Sequence, residues 1–336
     1  MHKVFIIAEA GVNHNGSLEL AKQLVDVAAD AGADAVKFQT FRASELASAR
    51  AEKAEYQKNL TDKRESQLDM LKRLELSASD HIVLKAHAEA RSITFMSTPF
   101  DLPSVTLLTE LGMDVFKIAS GEITNLPYLR RIAAVAKRII LSSGLATMQE
   151  VENAVAALVA SGVSKEQITV LHANTAYPTP PEDVNLLAMQ SIGRTVGVAF
   201  GYSDHTLGIV VPVAATVLGA TVIEKHFTLD RTMDGPDHAA SLEPQELKEM
   251  VSAIRTAEAI LGDGVKRPSK SESVNRNAAR KSIVARSPIV AGEVFTEENL
   301  AVKRPAGGID PMRWDEVIGL KATRAFEIDE PIQLEG

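Results

Sequence analysis

Short apolar runs of strand length alternate along the chain with longer segments in which apolar residues recur at helical spacing. Alternating strand and helix signals are typical of repeated βα units, which build a parallel sheet. The runs of strand length span residues 4–10, 35–40, 93–98, 115–120, 138–143, 168–174, 196–202 and 221–226. Eight such units in succession predict an α/β protein with a closed (β/α)8 TIM barrel.

The segments between the runs carry helix signals of different strength. Apolar residues recur every three to four positions between residues 18 and 28, and Gly32 stands where a glycine often ends a helix. The same spacing predicts helices over residues 147–160, 207–218 and 244–261. Residues 44–80 are longer and more polar, and we expect a helical excursion after the second strand that covers the barrel mouth.

The pattern changes after the last predicted barrel helix. Residues 262–273 are polar and rich in Gly and Ser, which is typical of a linker. Two short β-type pieces, 281–285 and 300–303, follow with turn signals around them. The chain therefore divides by prediction into a barrel over 1–262, a linker over 263–279 and a small, mostly β domain over 280–336.

Composition removes several classes of function. The 336 residues suffice for one barrel of about 250 residues and a small domain. The net charge of −8 argues against a nucleic-acid or anionic-membrane partner, and the lack of cysteine excludes thiol catalysis and thiolate metal sites. Because Glu9 interrupts the first apolar run, we expect that run to be neither a signal peptide nor a membrane span. The expected location is therefore the cytoplasm.

Polar side chains close nearly every predicted strand, at the barrel end where TIM-barrel enzymes carry their active sites. They include Glu9, Lys37, Gln39, Thr98, Lys117, Ser120, Glu122, Ser142, Asn174, Thr175, Tyr177, Ser203, His205, Glu224 and His226. Neither a dinucleotide-binding Gly-x-Gly-x-x-Gly after a strand nor a P-loop motif occurs. The sequence therefore favours an active site built from strand ends.

Lys37 and Lys117 end otherwise apolar strands, where an unpaired ammonium loses several kcal/mol of hydration. One interpretation is structural ion pairing with Glu9 and Glu122. The other is an anion site, because hydroxyls and glycine backbone near the same strand ends can complete a phosphate cradle. For the cluster as a whole, phosphate binding is the favoured interpretation.

His205 and His226 close adjacent predicted strands, about 5 Å apart by the usual strand spacing. A single histidine at a strand end is more often a hydrogen-bonded structural residue than a ligand. The pair, with Glu224 and Asp237 nearby in sequence, favours a divalent cation, and this mixed set of ligands favours Mn2+ or Mg2+ over structural zinc.

Eight short segments together resemble the motifs of the sialic acid synthase family. They are residues 8–16 (AEAGVNHNG), 36–40 (VKFQT), 97–101 (STPFD), 117–122 (KIASGE), 177–180 (YPTP), 203–206 (SDHT), 224–228 (EKHFT) and 235–238 (GPDH). The tail over 280–336, with VKRP at 302–305, is similar to the antifreeze-like (SAF) domain that follows the barrel in that family. The resemblance covers essentially the whole chain.

The resemblance implies a metal-dependent transferase that condenses phosphoenolpyruvate with an N-acylated amino-sugar aldehyde and water, yielding a nonulosonic acid and phosphate. It implies that phosphoenolpyruvate is held by Lys37, Thr98, Lys117, Ser120, Ser142 and Ser203. It implies metal ligation by His205 and His226, and it directs Gln39, Tyr177, Asp237 and Arg304 toward the sugar. It also makes Glu122 and Glu9 the candidates for acid and base.

Two further implications concern assembly and the sugar. The resemblance implies a domain-swapped homodimer in which Arg304 reaches the partner's active site, where a guanidinium can clamp polar groups. Asn174 and Thr175 are substrate-binding candidates in the sixth strand segment, where Thr175 stands in place of an asparagine that some relatives carry.

Four functions remain in competition at this point. The leading hypothesis is synthesis of N-acetylneuraminate from N-acetylmannosamine, and its nearest rival is synthesis of N,N'-diacetyllegionaminate from 2,4-diacetamido-2,4,6-trideoxymannose. A non-catalytic binder of ice or carbohydrate does not explain why charged side chains converge on one barrel mouth. A sugar-phosphate 3-deoxy-acid synthase is expected to need a second basic phosphate site.

Overall fold

The structure is a computed structural model that describes residues 3–48, 51, 53 and 65–334. The chain forms two compact units, Met1–Gly262 and Asp263–Gly336. Across the described residues, no helix combines the length and the apolar character that crossing a bilayer requires.

The first unit is built on eight parallel strands. They are β1 (Phe5–Gly11), β2 (Ala35–Thr40), β3 (Thr94–Pro99), β4 (Val115–Ile118), β5 (Arg138–Ser142), β6 (Ile168–Ala173), β7 (Ala199–Asp204) and β8 (Val222–His226). Hydrogen bonds join them in the order β3-β2-β1-β8-β7-β6-β5-β4, and the two end strands β3 and β4 contact each other. The sheet closes on itself, which confirms the predicted (β/α)8 barrel.

Helices surround this sheet. They are α1 (Leu18–Asp30), α2 (Ala43–Leu46), α3 (Gln67–Leu74), α4 (Ala78–Ala90), α5 (Leu102–Glu110), α6 (Leu126–Ala133), α7 (Met148–Ala160), α8 (Leu187–Ile192), α9 (Val210–Val217) and α10 (Pro244–Ile260). Local signals start several of them: the Asp101 side chain accepts from the Ser104 amide, and Thr147 and Glu150 form a capping box. The apolar stripe predicted between residues 18 and 28 is buried in α1.

A small layer of apolar side chains fills the inside of the barrel. It comprises Ile7, Ala35, Met96, Ile140, Leu171 and Val222. Two positions further along the same strands, and therefore on the same face, stand Glu9, Lys37, Thr98, Ser142 and Glu224. Strand alternation thus sets a polar layer directly above an apolar one, at the carboxyl end of the barrel.

Some element bounds differ from the sequence prediction. The seventh strand begins at Ala199 instead of residue 196, because Gly193–Gly197 continues α8 as a π-helical turn and keeps Val196 in that turn. The helix predicted over 207–218 begins only at Val210. The excursion predicted over 44–80 contains parts of α2 and α4 and the whole of α3, while residues 49–50, 52 and 54–64 lie outside the described residues.

The second unit has little regular structure. The short helices α11 (Lys270–Ser273), α12 (Arg276–Ala279) and α13 (Trp314–Val317) accompany the antiparallel pair β9 (Ser282–Ala285) and β10 (Leu300–Lys303). Its own core comprises Ile283, Ala285, Ile289, Phe295, Leu300, Val317, Ala322, Phe326 and Ile332. The linker predicted over 263–279 contains both α11 and α12.

Candidate active site

A cavity of about 500 Å³ opens at the carboxyl ends of the barrel strands. Most of the candidate residues line it: Glu9, Lys37, Gln39, Thr98, Lys117, Ser120, Ser142, Thr175, Tyr177, Ser203, His205, His226 and Asp237. Side chains from every strand end therefore converge on one space, as the sequence predicted. Among the candidates in the described part of the chain, Glu122, Asn174 and Arg304 are not in the lining.

Two lysines and two carboxylates form a buried cluster at the base of the cavity. Lys37 Nζ lies 2.6 Å from Glu9 Oε2 and 3.6 Å from Glu224 Oε2, and Lys117 Nζ lies 3.1 Å from Glu224 Oε1. All four residues are at most 4% exposed. Lys37 thus has the partner that the ion-pair interpretation expected, whereas Lys117 pairs with Glu224 instead of Glu122.

Hydroxyl groups surround this cluster. Lys37 Nζ donates to Thr98 Oγ1 at 2.8 Å, and Ser203 Oγ donates to Glu224 Oε1 at 2.8 Å. Ser142 Oγ is buried and has no hydrogen-bond partner among the described residues. A buried hydroxyl without a partner costs free energy, and Ser142 lines the same cavity as Lys37 and Lys117, which indicates space for a polar ligand.

Burial and the neighbouring charges separate the two carboxylates in pKa. Burial, opposed by Lys37 and reinforced by Glu224, raises the pKa of Glu9 to about 7. Burial also acts on Glu224, but Lys117 and Lys37 outweigh it and hold the pKa of Glu224 well below its usual range. Two coupled carboxyls with divergent pKa values are typical of a proton-transfer site, and Glu9 is the group that titrates near neutral pH.

The two lysines also differ. Burial lowers the pKa of Lys37, yet Glu224 and Glu9 outweigh that effect, and its net pKa is raised. The pKa of Lys117 is lowered by burial and Lys37 against the attraction of Glu224. Lys37 is therefore the more firmly charged of the two.

His205 and His226 lie on the other side of the cavity, with ring centroids 5.5 Å apart. His205 Nδ1 donates to the Asn174 carbonyl, which leaves Nε2 with a lone pair that accepts from the Tyr177 hydroxyl at 3.0 Å. The Tyr177 ring stacks on His205 at 4.0 Å between centroids. Asn174 thus orients His205 through its backbone although it does not line the cavity.

Both imidazoles are held neutral. Burial lowers the pKa of His205 to about 4, and burial with the nearby His205 and Lys37 lowers the pKa of His226 well below its usual range. Burial raises the pKa of Asp237 to about 6, and its Oδ2 lies 4.0 Å from His226 Nδ1. Neutral imidazoles present the lone pairs that metal ligation needs.

The histidine pair fits a cation held by few protein ligands. His226 Nδ1 is buried without a hydrogen-bond partner among the described residues, and His205 is oriented by a carbonyl, as metal-bound imidazoles usually are. Within that part of the chain, no group of three or more His, Cys, Asp or Glu side chains gathers to bind a metal. Water and substrate would therefore supply the remaining ligands.

The other two candidates lie elsewhere. Glu122 follows β4 in the 3-10 turn Ser120–Glu122, and its Oε2 accepts from Asn125 Nδ2 at 2.6 Å at the start of α6. Arg304 belongs to the second unit, where it is exposed and its Nε donates to the Ala279 carbonyl at 3.0 Å.

Sequence reasoning gave no role of its own to Glu224, which contacts both cavity lysines and Ser203. A signal was present, since Glu224 stands two positions before His226 and must share its face of the strand. Sequence reasoning also did not identify an apolar side of the cavity, formed by Val12, Leu46, Met70, Leu71, Leu74 and Phe100.

Comparisons with known proteins agree with this arrangement. The model of the NeuB family matches residues 24–266, and that of the SAF domain matches residues 280–336. The chain is 54% identical over 333 residues to the N,N'-diacetyllegionaminic acid synthase of Campylobacter jejuni, covering 99% of this chain and 100% of that protein. It is 47% identical over 317 residues to the N,N'-diacetyllegionaminic acid synthase of Legionella pneumophila, covering 94% and 89%. The crystal structure of N-acetylneuraminic acid synthetase from Leptospira borgpetersenii is similar, with a TM-score of 0.72, 36% identity and coverage of 82% and 90%.

Proposed function

The chain belongs to the NeuB family and carries a SAF domain, and on this premise we propose that it condenses phosphoenolpyruvate with an N-acylated amino-sugar aldehyde. Carbon C3 of phosphoenolpyruvate attaches to the open-chain aldehyde carbon, water adds at C2, and phosphate leaves from the tetrahedral intermediate. The products are a nonulosonic acid and phosphate. The observation that carries the proposal is the buried Lys37–Glu9–Glu224–Lys117 cluster at the base of the cavity.

Phosphoenolpyruvate binding needs positive charge that the cluster can supply. Two lysines and two ionised carboxylates balance each other, so an anion would gain little from an entirely ionised cluster. Glu9, with a pKa of about 7, can take up a proton as the anion arrives and leave Lys37 and Lys117 in excess. The free Ser142 hydroxyl, with Thr98 and Ser120, would donate hydrogen bonds to the bound anion. Ser203 would join them by turning its hydroxyl proton from Glu224 to the anion.

Glu9 is also the acid or base that the geometry supports best. In the register of the sheet it stands between Lys37 on β2 and His226 on β8, so its strand neighbours belong to both sides of the cavity. A pKa near neutral pH suits a group that exchanges protons during turnover. Glu122 remains the second candidate from sequence.

His205 and His226 are proposed to hold a divalent cation, Mn2+ or Mg2+. When bound, such a cation polarises the sugar aldehyde as a Lewis acid. The protein's own part is to keep both imidazoles neutral and to fix His205 through the Asn174 carbonyl.

The proposed sugar is 2,4-diacetamido-2,4,6-trideoxymannose, because the two relatives named above are N,N'-diacetyllegionaminic acid synthases at 54% and 47% identity. N-acetylmannosamine is the second candidate, supported by the N-acetylneuraminic acid synthetase at 36% identity. An unphosphorylated sugar is favoured because, among the described lining residues, the lysine and arginine side chains are those of Lys37 and Lys117. The side chains of Gln39, Thr175, Tyr177 and Asp237 are left to contact this sugar.

The test is to supply the purified protein with phosphoenolpyruvate, Mn2+ and each aldose in turn, and to measure phosphate release and the mass of the acid formed. We expect the trideoxy sugar to give the higher kcat/KM. If no phosphate is released with either aldose, the proposal is overturned. A higher kcat/KM with N-acetylmannosamine would reverse the choice of sugar.

Arg304 is proposed to complete the site of a partner chain in a homodimer, where its guanidinium would clamp polar groups of the sugar. Mixing the inactive variants Arg304→Ala and His205→Ala tests this directly. In a mixed dimer, the site of the Arg304→Ala chain keeps its own His205 and receives Arg304 from the His205→Ala chain. That site is complete, so part of the activity should return. Refolded mixtures without any recovered activity would contradict the exchange.

A further inference from the structure

One side of the cavity is apolar, and we call it the mouth wall: Val12, Leu46, Met70, Leu71, Leu74 and Phe100. Helix α3 supplies its middle part. Gln67, Met70, Leu71 and Leu74 all line the cavity and stand at positions i, i+3, i+4 and i+7, which is one face of a helix. The middle part of the mouth wall is thus one continuous face of α3.

The mouth wall has its own small core, separate from that of the barrel. Met70 and Leu74 are buried with Val12 and Phe41, while Leu46, Leu71 and Phe100 are partly buried around them. Apolar side chains that remain partly exposed within a cavity are available to an apolar part of a ligand.

Close packing fixes α3 in place. A Cβ added to Gly16 would lie 2.2 Å from the Arg73 carbonyl oxygen, which leaves no room for a side chain. The backbone of α3 therefore packs directly against that of the β1–α1 loop. The Glu75 carboxylate, directly after α3, accepts from the Ala43 amide at 2.9 Å at the start of α2. The mouth wall therefore presents a preformed shape to the ligand.

The two ends of an open-chain hexose meet different parts of this cavity. If the proposed function holds, aldehyde carbon C1 reacts beside the Lys37–Glu9–Glu224–Lys117 cluster and the histidine pair. Carbon C6 is the far end of the same chain and has to extend away from that polar base, toward the mouth. A terminal hydroxyl that faces Met70, Leu71 and Leu74 would lose hydration without gaining a partner, whereas a terminal methyl would not. Among the α3 side chains that line the cavity, only that of Gln67, at the first position of this face, could bond such a hydroxyl.

Resting on the proposed function, we infer that the mouth wall binds the C6 methyl group of a 6-deoxy amino sugar and selects against a C6 hydroxyl. Leu71 is the central residue of this selection, since it lies in the middle of the apolar face and is only partly buried. An apolar pocket rejects an added hydroxyl by at most about 100-fold, which sets the scale of the effect.

The test compares two sugars that differ at one atom, 2,4-diacetamido-2,4,6-trideoxymannose and its 6-hydroxy counterpart, in phosphate release with phosphoenolpyruvate. We expect the wild type to favour the 6-deoxy sugar in kcat/KM by tenfold or more. Leu71→Gln should cut this preference about fivefold and leave the KM for phosphoenolpyruvate unchanged, while Leu71→Met should retain the preference. Leu46→Gln serves as a second variant on α2 if Leu71→Gln does not fold.

Ile82→Gln is the matched control, because Ile82 is 56% exposed on α4 and does not line the cavity in the described structure. Equal kcat/KM for both sugars in the wild type would overturn the inference alone. So would an unchanged preference in Leu71→Gln, or the same change in Ile82→Gln. If no phosphate is released with either sugar, the proposed function is overturned, and the inference with it.

Discussion

A buried ion pair behind the histidine side of the cavity predicts a large effect of one substitution. Lys225 Nζ lies 2.5 Å from Asp204 Oδ2, and both side chains are completely buried. Lys225 also donates to the Thr206 carbonyl, and the Thr206 amide and hydroxyl both donate to Asp204 at 3.1 Å. This network ties the loop after β7, which carries His205, to β8.

The change Lys225→Met removes the cation and leaves Asp204 buried without its charge partner. Removing one member of a buried pair costs about 3–5 kcal/mol, because the remaining charge is no longer compensated. For a unit of this size, each kcal/mol lowers Tm by roughly 2–4 °C, so we expect a fall of about 10 °C. Activity should also fall, since the loop that positions His205 loses its attachment.

Thermal unfolding followed by far-UV circular dichroism measures this effect, because the long helices belong to the first unit. The single tryptophan, Trp314, belongs to the second unit, and its fluorescence gives an internal reference that should change little. Lys137→Met is the matched control: Lys137 pairs with Asp114 at 2.9 Å on the surface, where such pairs contribute at most about 1 kcal/mol.

Two results would refute the reasoning about Lys225. If Lys225→Met lowers Tm no more than Lys137→Met does, the buried pair contributes no more to stability than a surface pair. The double variant Asp204→Leu with Lys225→Met should recover much of the lost stability, because it removes the uncompensated charge. A double variant as unstable as the single one would assign the loss to packing instead.

Three further predictions concern the proposed chemistry. Glu9 loses its proton as the pH rises through about 7, so the KM for phosphoenolpyruvate should increase above that pH. The variant Glu9→Gln is neutral at every pH and should flatten this pH dependence of KM. An unaltered pH dependence in the variant would contradict proton uptake by Glu9. Glu122→Gln should lower kcat at least tenfold if Glu122 is an acid or base, and unchanged turnover would eliminate it. His205→Ala should lower the bound Mn2+ per chain and exhaustive chelation should stop phosphate release; full metal content in the variant, measured by elemental analysis, would rule out this ligand.

The barrel and the composition of its rim were predictable because both depend on local patterns. Strand-length runs and helical spacing identify eight βα units, and parallel strands place all their carboxyl ends at one mouth. Lys37, Ser142 and His226 could therefore be assigned to one cavity from their positions in the sequence alone. Family motifs then indicated phosphoenolpyruvate chemistry and a SAF domain.

Contacts between distant segments were only partly predictable: the sequence offered Glu9 as a partner of Lys37, but it did not identify the partner of Lys117. Lys117 and Glu224 are 107 positions apart, and the sequence offered the nearer Glu122 as a partner, whereas the structure turns Glu122 toward Asn125. Similarly, the beginning of β7 depends on how far α8 continues as a π-helical turn, which apolar spacing did not indicate.

The sequence by itself determined the fold class, the polar rim and the family, because strand period, helix period and motif spacing are all written along the chain. Only the tertiary structure decided that Lys117 pairs with Glu224, that Glu9 titrates near neutral pH, and that an apolar face of α3 lines the cavity. Pairing energies and pKa values depend on distances and burial across the barrel, and neither is a property of sequence order.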